Sequence, residues 1–351
     1  MKAFEKNIRM VEPYVPGEQP QNKVVKLNTN ENPYPPAPGV SRALEEMDMD
    51  RLRLYPDPTA NVLVKELASY YGVNEDQVFV GVGSDDVLAM CFLTFFNSEK
   101  PIFFPDITYS FYKVWADLYR IPYECQKLDE KFHLVKEDYY RENGGVIFPN
   151  PNAPTAIYED LDFVEDILKH NQDVIVIVDE AYVDFAGASA LELVDRYENL
   201  IVVQTFSKSR SMAGMRIGFA ISNSNLIKYL NDAKYSFNSY TMNQTSLIAG
   251  AEAVKDQAYF LETVAKIKET REWSKEEFEK LGFICTDSQA NFLFVTHPEL
   301  DAKKLFLALK EAGIYVRFRG SERIEQYMRV TIGTKEEMEI LFAFLRDYKE
   351  Q

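Results

Sequence analysis

Two apolar runs, VIVIVDEAY at residues 174–182 and LIVVQTFSK at residues 200–208, decide the predicted fold. Each run is a near-continuous series of valine and isoleucine that ends in polar residues. A half-exposed strand alternates apolar and polar side chains, whereas a strand covered on both faces does not. The two runs therefore predict strands of a buried, mostly parallel sheet with helices on both faces.

Helix and strand patterns alternate on the N-terminal side of these runs. Further strands are predicted at QVFVGV (77–82), PIFF (101–104) and GGVIF (144–148). Helical spacing is present in NVLVKELASYYG (61–72), DDVLAMCFLTFF (85–96) and YEDLDFVEDILKH (158–170). This alternation is typical of an α/β fold.

The pattern changes beyond about residue 258. A long charged amphipathic segment, FLETVAKIKETREWSKEEFEKLG, predicts a helix that Gly282 ends. It is followed by shorter strand and helix patterns: NFLFV (291–295), KKLFLALKEAG (303–313), YVRFR (315–319), MRVTIG (328–333) and KEEMEILFAFL (335–345). We predict a large domain over residues 46–257 and a small α+β domain over residues 258–351.

The N-terminal segment, residues 1–45, is rich in proline, which fixes φ and removes amide donors. The prolines are Pro13, Pro16, Pro20, Pro33, Pro35, Pro36 and Pro38. Apolar and aromatic residues lie between them, including Val11, Tyr14, Val15 and Tyr34. This composition predicts an extended arm that packs on the small domain or on a partner subunit, and a disordered linker is the alternative.

The composition excludes several classes of function. Among 351 residues, 55 are acidic and 39 basic, which gives a net charge of −16 and argues against a nucleic-acid or anionic-membrane surface. No segment approaches the roughly 18 consecutive apolar residues of a membrane span. The three cysteines, Cys91, Cys125 and Cys285, lack metal or redox spacing. We expect a cytoplasmic protein without a metal site.

A glycine turn, Gly81-Val82-Gly83-Ser84-Asp85-Asp86, lies between a predicted strand and a predicted helix. Glycines allow the backbone to approach an anion, and the free amides at a helix start bind phosphate. A plain turn with a serine or aspartate cap is the alternative. Because ligands bind at the carboxyl ends of the strands in open α/β sheets, the turn is a candidate phosphate site.

The buried run at 174–178 ends in Asp179, and Tyr182 follows three residues later. A buried carboxylate requires a partner, and the protonated nitrogen of a pyridine ring is one such partner. A helix N-cap or a metal ligand is the alternative for this position.

The segment after residue 204 reads TFSKSRSMAGMR and places Lys208 between two serines. A neutral lysine amine forms an imine with an aldehyde. Thr205, Ser207 and Arg216 have the hydroxyl and guanidinium groups that bind a phosphate dianion. A solvated basic turn is the alternative for this segment taken alone, but together the three motifs supply every group that pyridoxal phosphate requires.

With these motifs the chain resembles the fold-type I pyridoxal-phosphate-dependent aminotransferases, and most closely the histidinol-phosphate aminotransferase family. Two further segments, LNTNENP at residues 27–33 and YPD at residues 55–57, match that family. The resemblance runs from about residue 9 to the C-terminus. It implies a seven-stranded, mostly parallel sheet, pyridoxal 5'-phosphate as cofactor, and a homodimer.

The resemblance also implies roles for the residues that bind the cofactor. Lys208 forms the internal aldimine and then moves a proton between Cα and C4′. Asp179 pairs with the pyridine nitrogen, Tyr182 donates to O3′, and Tyr109 stacks on the ring. The phosphate site is lined by Ser84, Asp85, Thr205, Ser207 and Arg216, and by Tyr55 from the second subunit.

Two positions depart from the family pattern, which reads PNNPTG where this chain has PNAPTA at residues 151–156. Ala153 stands where an asparagine normally bonds O3′, and we expect Asn152 to replace it, with Tyr182 sufficing alone as the alternative. Ala156 stands where a glycine has the freedom to adopt positive φ, so the geometry of this loop is open.

Substrate recognition is expected from the arm and the small domain. By the resemblance, Arg329 binds an α-carboxylate, for which a planar bidentate donor is suited. Arg317 resembles the residue that binds the distal phosphate of the first substrate. Tyr14 and Asn30 resemble residues of the arm that close over the substrate. Arg319 and Arg323 form a local basic cluster with these two arginines, as an anion site requires, but for Arg319 and Arg323 themselves surface salt bridges are the expectation.

The resemblance implies transfer of an amino group between L-histidinol phosphate and 2-oxoglutarate in two stages, as in histidine biosynthesis. The alternatives are an aminotransferase for aromatic or aspartate-like substrates and a threonine-phosphate decarboxylase of the same fold. A non-catalytic regulator built on an aminotransferase domain is a third, but it requires a DNA-binding module for which this acidic chain has no room.

Overall fold

The computed structural model describes residue 2 and residues 4–349. Its strands are β1 (Val25–Lys26), β2 (Val78–Gly81), β3 (Ile102–Pro105), β4 (Tyr123–Gln126), β5 (Val146–Pro149), β6 (Val176–Asp179), β7 (Leu200–Thr205), β8 (Gly218–Ile221), β9 (Ile284–Cys285), β10 (Phe292–Thr296), β11 (Ile314–Tyr315), β12 (Arg317–Phe318) and β13 (Tyr327–Thr331).

The helices of the same part of the chain are α1 (Pro38–Glu45), α2 (Asn61–Tyr71), α3 (Ser84–Phe95), α4 (Phe111–Tyr119), α5 (Leu161–His170), α6 (Ser224–Phe237), α7 (Gln244–Lys255), α8 (Gln257–Lys280), α9 (Ala302–Glu311) and α10 (Lys335–Lys349). The helix predicted to end at Gly282 is α8, and Gly282 has the left-handed φ of +81° that suits the end of a helix.

A seven-stranded sheet forms the centre of the molecule, in the order β2-β8-β7-β6-β5-β3-β4. The pairs from β7 to β4 are parallel, and β8 is antiparallel to both of its neighbours. The strands at 176–179 and 200–205 are buried along their whole length, as their unbroken apolar pattern predicts. The predicted α/β fold with a mostly parallel seven-stranded sheet is therefore confirmed.

This topology brings chemically active residues to one edge of the sheet. Because β8 is antiparallel to both β2 and β7, those two strands run in the same direction, and both end where β8 begins. The motifs after β2, β6 and β7, and the residues just before β8, therefore meet at a single edge. Neither β4 nor β8 is predicted from the sequence patterns.

A second sheet of four strands, in the order β12-β13-β10-β9, lies in the C-terminal part of the chain. The arm joins this part through β1, which pairs in parallel with β11. Leu27 of the arm packs in the same apolar cluster as Phe292 and Val330 of the second sheet. The arm thus packs on the C-terminal part, while the boundaries at residues 45 and 257 stay a prediction, and residues 1, 3, 350 and 351 lie outside the described residues.

The helices cover the seven-stranded sheet because their apolar faces match its two buried faces. On one face Val178 and Val202 pack with residues of α2, α5 and α7, and on the other Ile177 and Ile201 pack with residues of α3 and α4.

Among the described residues, none of these helices combines the length and the apolar character that crossing a membrane requires.

Candidate active site

A cavity of about 370 Å³ opens at the carboxyl edge of the seven-stranded sheet. Nine residues singled out from the sequence line it: Ser84, Asp85, Tyr109, Asp179, Tyr182, Thr205, Ser207, Lys208 and Arg216. They come from four separate segments of the chain, which the topology of the sheet brings together. The cavity is therefore the candidate active site.

Lys208 follows β7 and reaches toward the arm. Its Nζ donates a hydrogen bond to the carbonyl oxygen of Thr29, 3.0 Å away. The same Nζ lies 5.8 Å from the centre of the Tyr182 ring. The amine is thus held inside the cavity between the arm and the aromatic ring, where a ligand can reach it.

Asp179 ends β6 with only 4% of its surface exposed. Its Oδ2 accepts a hydrogen bond of 2.8 Å from the hydroxyl of Tyr112, and its Oδ1 accepts one from the amide of Ala181. Burial raises the pKa of Asp179 to about 6, against the lowering effect of these two donors. None of the ion pairs among the described residues includes Asp179. A cationic ligand beside Asp179 would stabilise its ionised form.

An anion site surrounds the start of α3. The backbone amides at Ser84 and Asp85 open this helix, and first-turn amides have no partner within a helix. Across from them, Nη1 of Arg216 lies 3.5 Å from Oγ of Ser207, whose amide bonds Oγ1 of Thr205. Hydroxyl, guanidinium and amide groups converge as a phosphate requires.

Gly83 makes this convergence possible. Its φ of +85° is in the region that side chains rarely adopt, and a Cβ built on it would lie 2.5 Å from Nη2 of Arg216. A larger residue would therefore displace the guanidinium as well as strain the turn. The glycine is required by the close approach of Arg216 to the start of α3.

Tyr109 and Asp85 form a pair on one wall of the cavity. The hydroxyl of Tyr109 donates to Oδ1 of Asp85 over 2.7 Å, and Oδ2 of Asp85 lies 3.3 Å from Nη2 of Arg216. Burial, and then the charge of Asp85, raises the pKa of Tyr109 well above its ordinary value. The phenol is thus a neutral hydrogen-bond donor whose ring faces the cavity.

The hydroxyl of Tyr182 is held by the arm. Nδ2 of Asn30 donates to this hydroxyl over 2.9 Å, and Oγ1 of Thr331 donates to Oδ1 of Asn30 over 3.0 Å. Asn30 has a left-handed φ of 56°, which asparagine tolerates better than most residues do. Asn30 does not line the cavity itself, and its contact orients the phenol that does.

Asn152 is placed differently from its expected position. Its Nδ2 donates to the carbonyl of Ile107 and to Oγ1 of Thr155, both at 2.9 Å, and its Oδ1 accepts from Thr108 at 3.1 Å. The side chain joins its own loop to the segment after β3 and does not line the cavity, whereas Ala153 does. The geometry gives no support to Asn152 as a replacement for the missing asparagine.

The structure also defines the backbone conformation of the loop at Ala156, which the sequence does not predict. Ala156 adopts a φ of +64° although it is not glycine, and it is fully buried. Its carbonyl accepts a hydrogen bond from the amide of Gln289, and its amide bonds the carbonyl of Asn152. The surrounding contacts thus keep a left-handed conformation at this position despite the change of residue.

Besides Asn30 and Asn152, four more of the residues expected at the site lie outside the cavity lining. Tyr55 is 80% exposed and stacks on Tyr240, with 4.6 Å between ring centres. Tyr14 stacks on Phe111, beside Tyr109.

The two arginines in that group are held by the arm. Arg317 donates to the carbonyls of Val15 and Pro16. Arg329 is further inside, and its Nη2 donates to the carbonyl of Asn28 over 2.7 Å. Burial lowers the pKa of the Arg329 guanidinium to about 10, and its buried Nε has no hydrogen-bond partner among the described residues.

Sequence reasoning missed several residues at the site. Gln19, Thr29 and Glu31 line the cavity from the arm, and Glu31 forms an ion pair with Lys26. Tyr112 donates a hydrogen bond to Asp179 from outside the cavity lining. Its position three residues after Tyr109, in the first turn of α4, was the available signal.

Comparisons with known proteins agree with this geometry. The family model described as aminotransferase class I and II matches residues 22–345. A histidinol-phosphate aminotransferase of Lactococcus lactis subsp. cremoris is 50% identical over 347 residues, which cover 99% of this chain and 98% of the relative. One of Brachyspira hyodysenteriae is 51% identical over 343 residues, which cover 97% of both chains.

A solved structure shows the same fold at lower identity. The crystal structure of histidinol-phosphate aminotransferase from Sinorhizobium meliloti, in complex with pyridoxal-5'-phosphate, has a TM-score of 0.84 and 23% identity, and covers 93% of this chain and 91% of that one. Together with relatives that are half identical over nearly the whole length, it confirms the predicted family. The chain belongs to the histidinol-phosphate aminotransferase family of the class I and II aminotransferases.

Proposed function

We propose that the chain transfers the amino group of L-histidinol phosphate to 2-oxoglutarate, with pyridoxal 5'-phosphate as its cofactor. The observation that carries the proposal is the cavity in which Lys208, Asp179 and Arg216 meet at one sheet edge. Half-identical relatives over nearly the full length carry the name of this activity, which supports the choice of substrate.

The residues present fit the proposed cofactor. Asp179 is a buried carboxyl for which the described residues supply no cation. A pyridinium nitrogen beside it would offset the free-energy cost of burying its charge. At the other end of the cavity, Ser84, Ser207 and Arg216 present amide, hydroxyl and guanidinium donors to a phosphate. Tyr109 would cover the ring, and Tyr182 would donate to its phenolic oxygen.

Bound pyridoxal phosphate supplies an aldehyde that receives amino groups and a ring that withdraws electrons from the bonds beside them. Lys208 would hold the cofactor through Nζ, release it to the substrate amine, and then accept the proton from the substrate Cα. Asp179 would keep the ring nitrogen protonated. Asn30 would fix the direction in which the Tyr182 hydroxyl points.

The substrate groups are assigned to the arm and the small sheet. Arg329 would bind the α-carboxylate of glutamate or 2-oxoglutarate as a planar bidentate donor. Arg317 would bind the distal phosphate of histidinol phosphate. Tyr14, which belongs to the arm and lies beside Tyr109, would close over the bound substrate.

Tyr55 leads to the proposal of a homodimer. Its ring is exposed and lies outside the cavity of its own subunit. In a dimer this phenol would reach the phosphate site of the partner subunit, as the family resemblance implies. The cytoplasmic location expected from the sequence stays a prediction.

The substrate proposal is tested by steady-state kinetics with 2-oxoglutarate and one amino donor at a time. Histidinol phosphate should have a larger kcat/KM than phenylalanine or aspartate, and O-phosphothreonine should release no carbon dioxide. A larger value for either amino acid, or carbon dioxide release, would replace the proposal with the corresponding alternative.

The cofactor proposal has its own control. The holoenzyme should absorb visible light, and borohydride should attach the cofactor to Lys208, as mass spectrometry of the peptide would show. Lys208→Ala should lose the attachment and activity while it keeps the phosphate contacts. A wild-type protein that fails to bind pyridoxal phosphate would refute the cofactor assignment.

A further inference from the structure

Three arginines lie close together at the edge of the four-stranded sheet. β12 and β13 are antiparallel with Arg317 directly opposite Arg329, and Arg319 follows directly after the end of β12. Arg317 and Arg329 are cross-strand neighbours on one face, and after burial the charges of Arg319 and Arg317 lower the pKa of Arg329. Like charges in such positions repel each other, and an anion among them would remove that repulsion.

The described residues do not provide that anion. No carboxylate of the described residues forms an ion pair with any of the three arginines. Arg317 and Arg329 donate to backbone carbonyls of the arm instead. Arg319 differs from both, because its guanidinium takes part in none of the hydrogen bonds among the described residues, and its buried Nε, like that of Arg329, has no partner there. A buried guanidinium donor without a partner is costly.

Arg323 provides a contrast a few residues along the chain. Its Nη1 donates to Oδ2 of Asp106 at 2.7 Å, and its Nη2 donates to the carbonyls of Leu128 and Asp129. The salt bridge expected for Arg323 is therefore present, whereas the one expected for Arg319 is absent among the described residues. Burial, and then the charge of Arg317, lowers the pKa of Arg319, so its surroundings disfavour an unpaired cation.

Arg319 faces a second cavity, of about 520 Å³, which shares the ring of Tyr109 with the cavity of Lys208. Lys113 and Lys127 also line this second cavity. Its acidic residues are Asp106, which is already paired with an arginine, and Glu322. The second cavity thus has an excess of positive charge and adjoins the place where the amino group of a substrate would react.

We propose that Arg319 binds the distal phosphate of the amino substrate where this second cavity adjoins the cavity of Lys208. The inference rests on the proposed function, and it assigns a specificity residue of that same site. A phosphate dianion offers several acceptor oxygens, and a guanidinium offers planar paired donors that match them. Arg317 already donates to the arm, and Arg319 has its donors available for the ligand.

The test compares histidinol phosphate with histidinol, which lacks the phosphate, in the wild-type holoenzyme and in Arg319→Gln. Loss of one charge-assisted contact should raise the KM for histidinol phosphate about 10-fold to 100-fold. The kcat/KM for histidinol should change less than about twofold, since that substrate has no group for Arg319 to bind. Equal losses with both substrates, or no change with histidinol phosphate, would overturn the proposal.

Two further variants distinguish the loss of a phosphate contact from a loss of folding and from a change in net charge. Arg319→Lys keeps the charge without the planar donors and should lose less affinity than the glutamine variant. Lys303→Gln removes one exposed positive charge of α9 and should leave both KM values unchanged. If Lys303→Gln raised the KM for histidinol phosphate as much as Arg319→Gln does, a general charge effect would replace the specific contact.

A binding measurement distinguishes failure of this inference from failure of the proposed function. Calorimetric titration of the cofactor-saturated enzyme with inorganic phosphate should show binding that Arg319→Gln weakens about 10-fold or more. The cofactor occupies the other phosphate site in this experiment. If histidinol phosphate were not a substrate but this binding were observed, the proposed function would fail and the anion site would stand. Unchanged phosphate binding in the variant would overturn the anion site itself.

Discussion

The hydroxyl of Tyr112 donates a hydrogen bond to Oδ2 of Asp179 across 2.8 Å, and both side chains are buried. Tyr112 belongs to α4 and lies outside the cavity lining, with its ring centre 5.9 Å from that of Tyr109. The bond holds one carboxylate oxygen and leaves Asp179 poised to pair with a cation in the cavity. A residue outside the cavity lining thereby controls the charge state of one inside it.

Tyr112→Phe removes this hydrogen bond without changing the shape of the core. Because the bond stabilises the ionised carboxyl, its loss should raise the pKa of Asp179 further above its present value of about 6. Affinity for pyridoxal phosphate, which requires an ionised Asp179, should then fall off at a pH about 1 unit higher than in the wild type. Dissociation constants of the wild type and the variant, measured from pH 5 to pH 8, check this shift. Loss of affinity at the same pH in both proteins would contradict it.

Asp179→Asn should change how stability depends on pH in the cofactor-free protein. Burial raises the pKa of Asp179 to about 6 and that of its neighbour Glu180 to about 7, so the folded state favours their protonated forms. The stabilisation that these two protonated carboxyls give to the folded state is complete below about pH 4. It is lost as the pH rises through 6 and 7.

Removing the Asp179 charge should therefore make the variant more stable than the wild type at pH 8, by about 1 to 3 kcal/mol, with a smaller difference at pH 5. Denaturant unfolding at both pH values measures the difference. Other charges are common to the two proteins, so a difference independent of pH would show that Asp179 does not contribute in this way. The same variant should lose transaminase activity.

Asn152→Ala should lower stability more than it lowers cofactor affinity. Its amide makes one hydrogen bond within its loop and two to the segment at Ile107 and Thr108, and their loss should reduce the free energy of unfolding by about 2 to 4 kcal/mol. The matched control is Asn143→Ala, because Asn143 is also a buried asparagine with local hydrogen bonds and one bond to another segment, and it lies before β5, at the opposite end of that strand from Asn152. Both variants should bind pyridoxal phosphate within about threefold of the wild type. A tenfold loss of affinity in Asn152→Ala alone would assign a cofactor contact to Asn152.

Ala156→Gly and Ala156→Val should have different effects. The left-handed φ of +64° costs an L-residue roughly 1 to 2 kcal/mol, which glycine would recover. The loss of a buried methyl group, about 1 kcal/mol, offsets the gain, so Ala156→Gly should stay within about 1 kcal/mol of the wild type. Valine is β-branched and has no space at this fully buried position, so it should reduce stability by more than about 2 kcal/mol. Urea denaturation measures both variants, and equal destabilisation by glycine and valine would exclude backbone strain as the cause.

Much of the fold was predictable because its signals are local. The unbroken apolar runs that became β6 and β7 require cover on both faces, and this requirement follows from the residues themselves. The strands β4 and β8 were not predictable in the same way. β8 reads Gly-Phe-Ala-Ile, a short run without a distinctive pattern, and its antiparallel direction depends on the strands on either side of it.

The residues of the candidate site likewise divide into those with local sequence signals and those without. Lys208, Asp179 and Arg216 were recognisable because each stands beside a strand with a side chain whose chemistry is distinctive. The hydrogen bond from Tyr112 to Asp179 and the one from Asn152 to Ile107 join residues that are distant in the sequence, and the lack of a partner for Nε of Arg319 among the described residues depends on side-chain direction. Short-range patterns determine which segments become strands and which polar side chains follow directly after each strand. Only packing in three dimensions determines which of those groups meet, because a hydrogen bond depends on the positions of both partners.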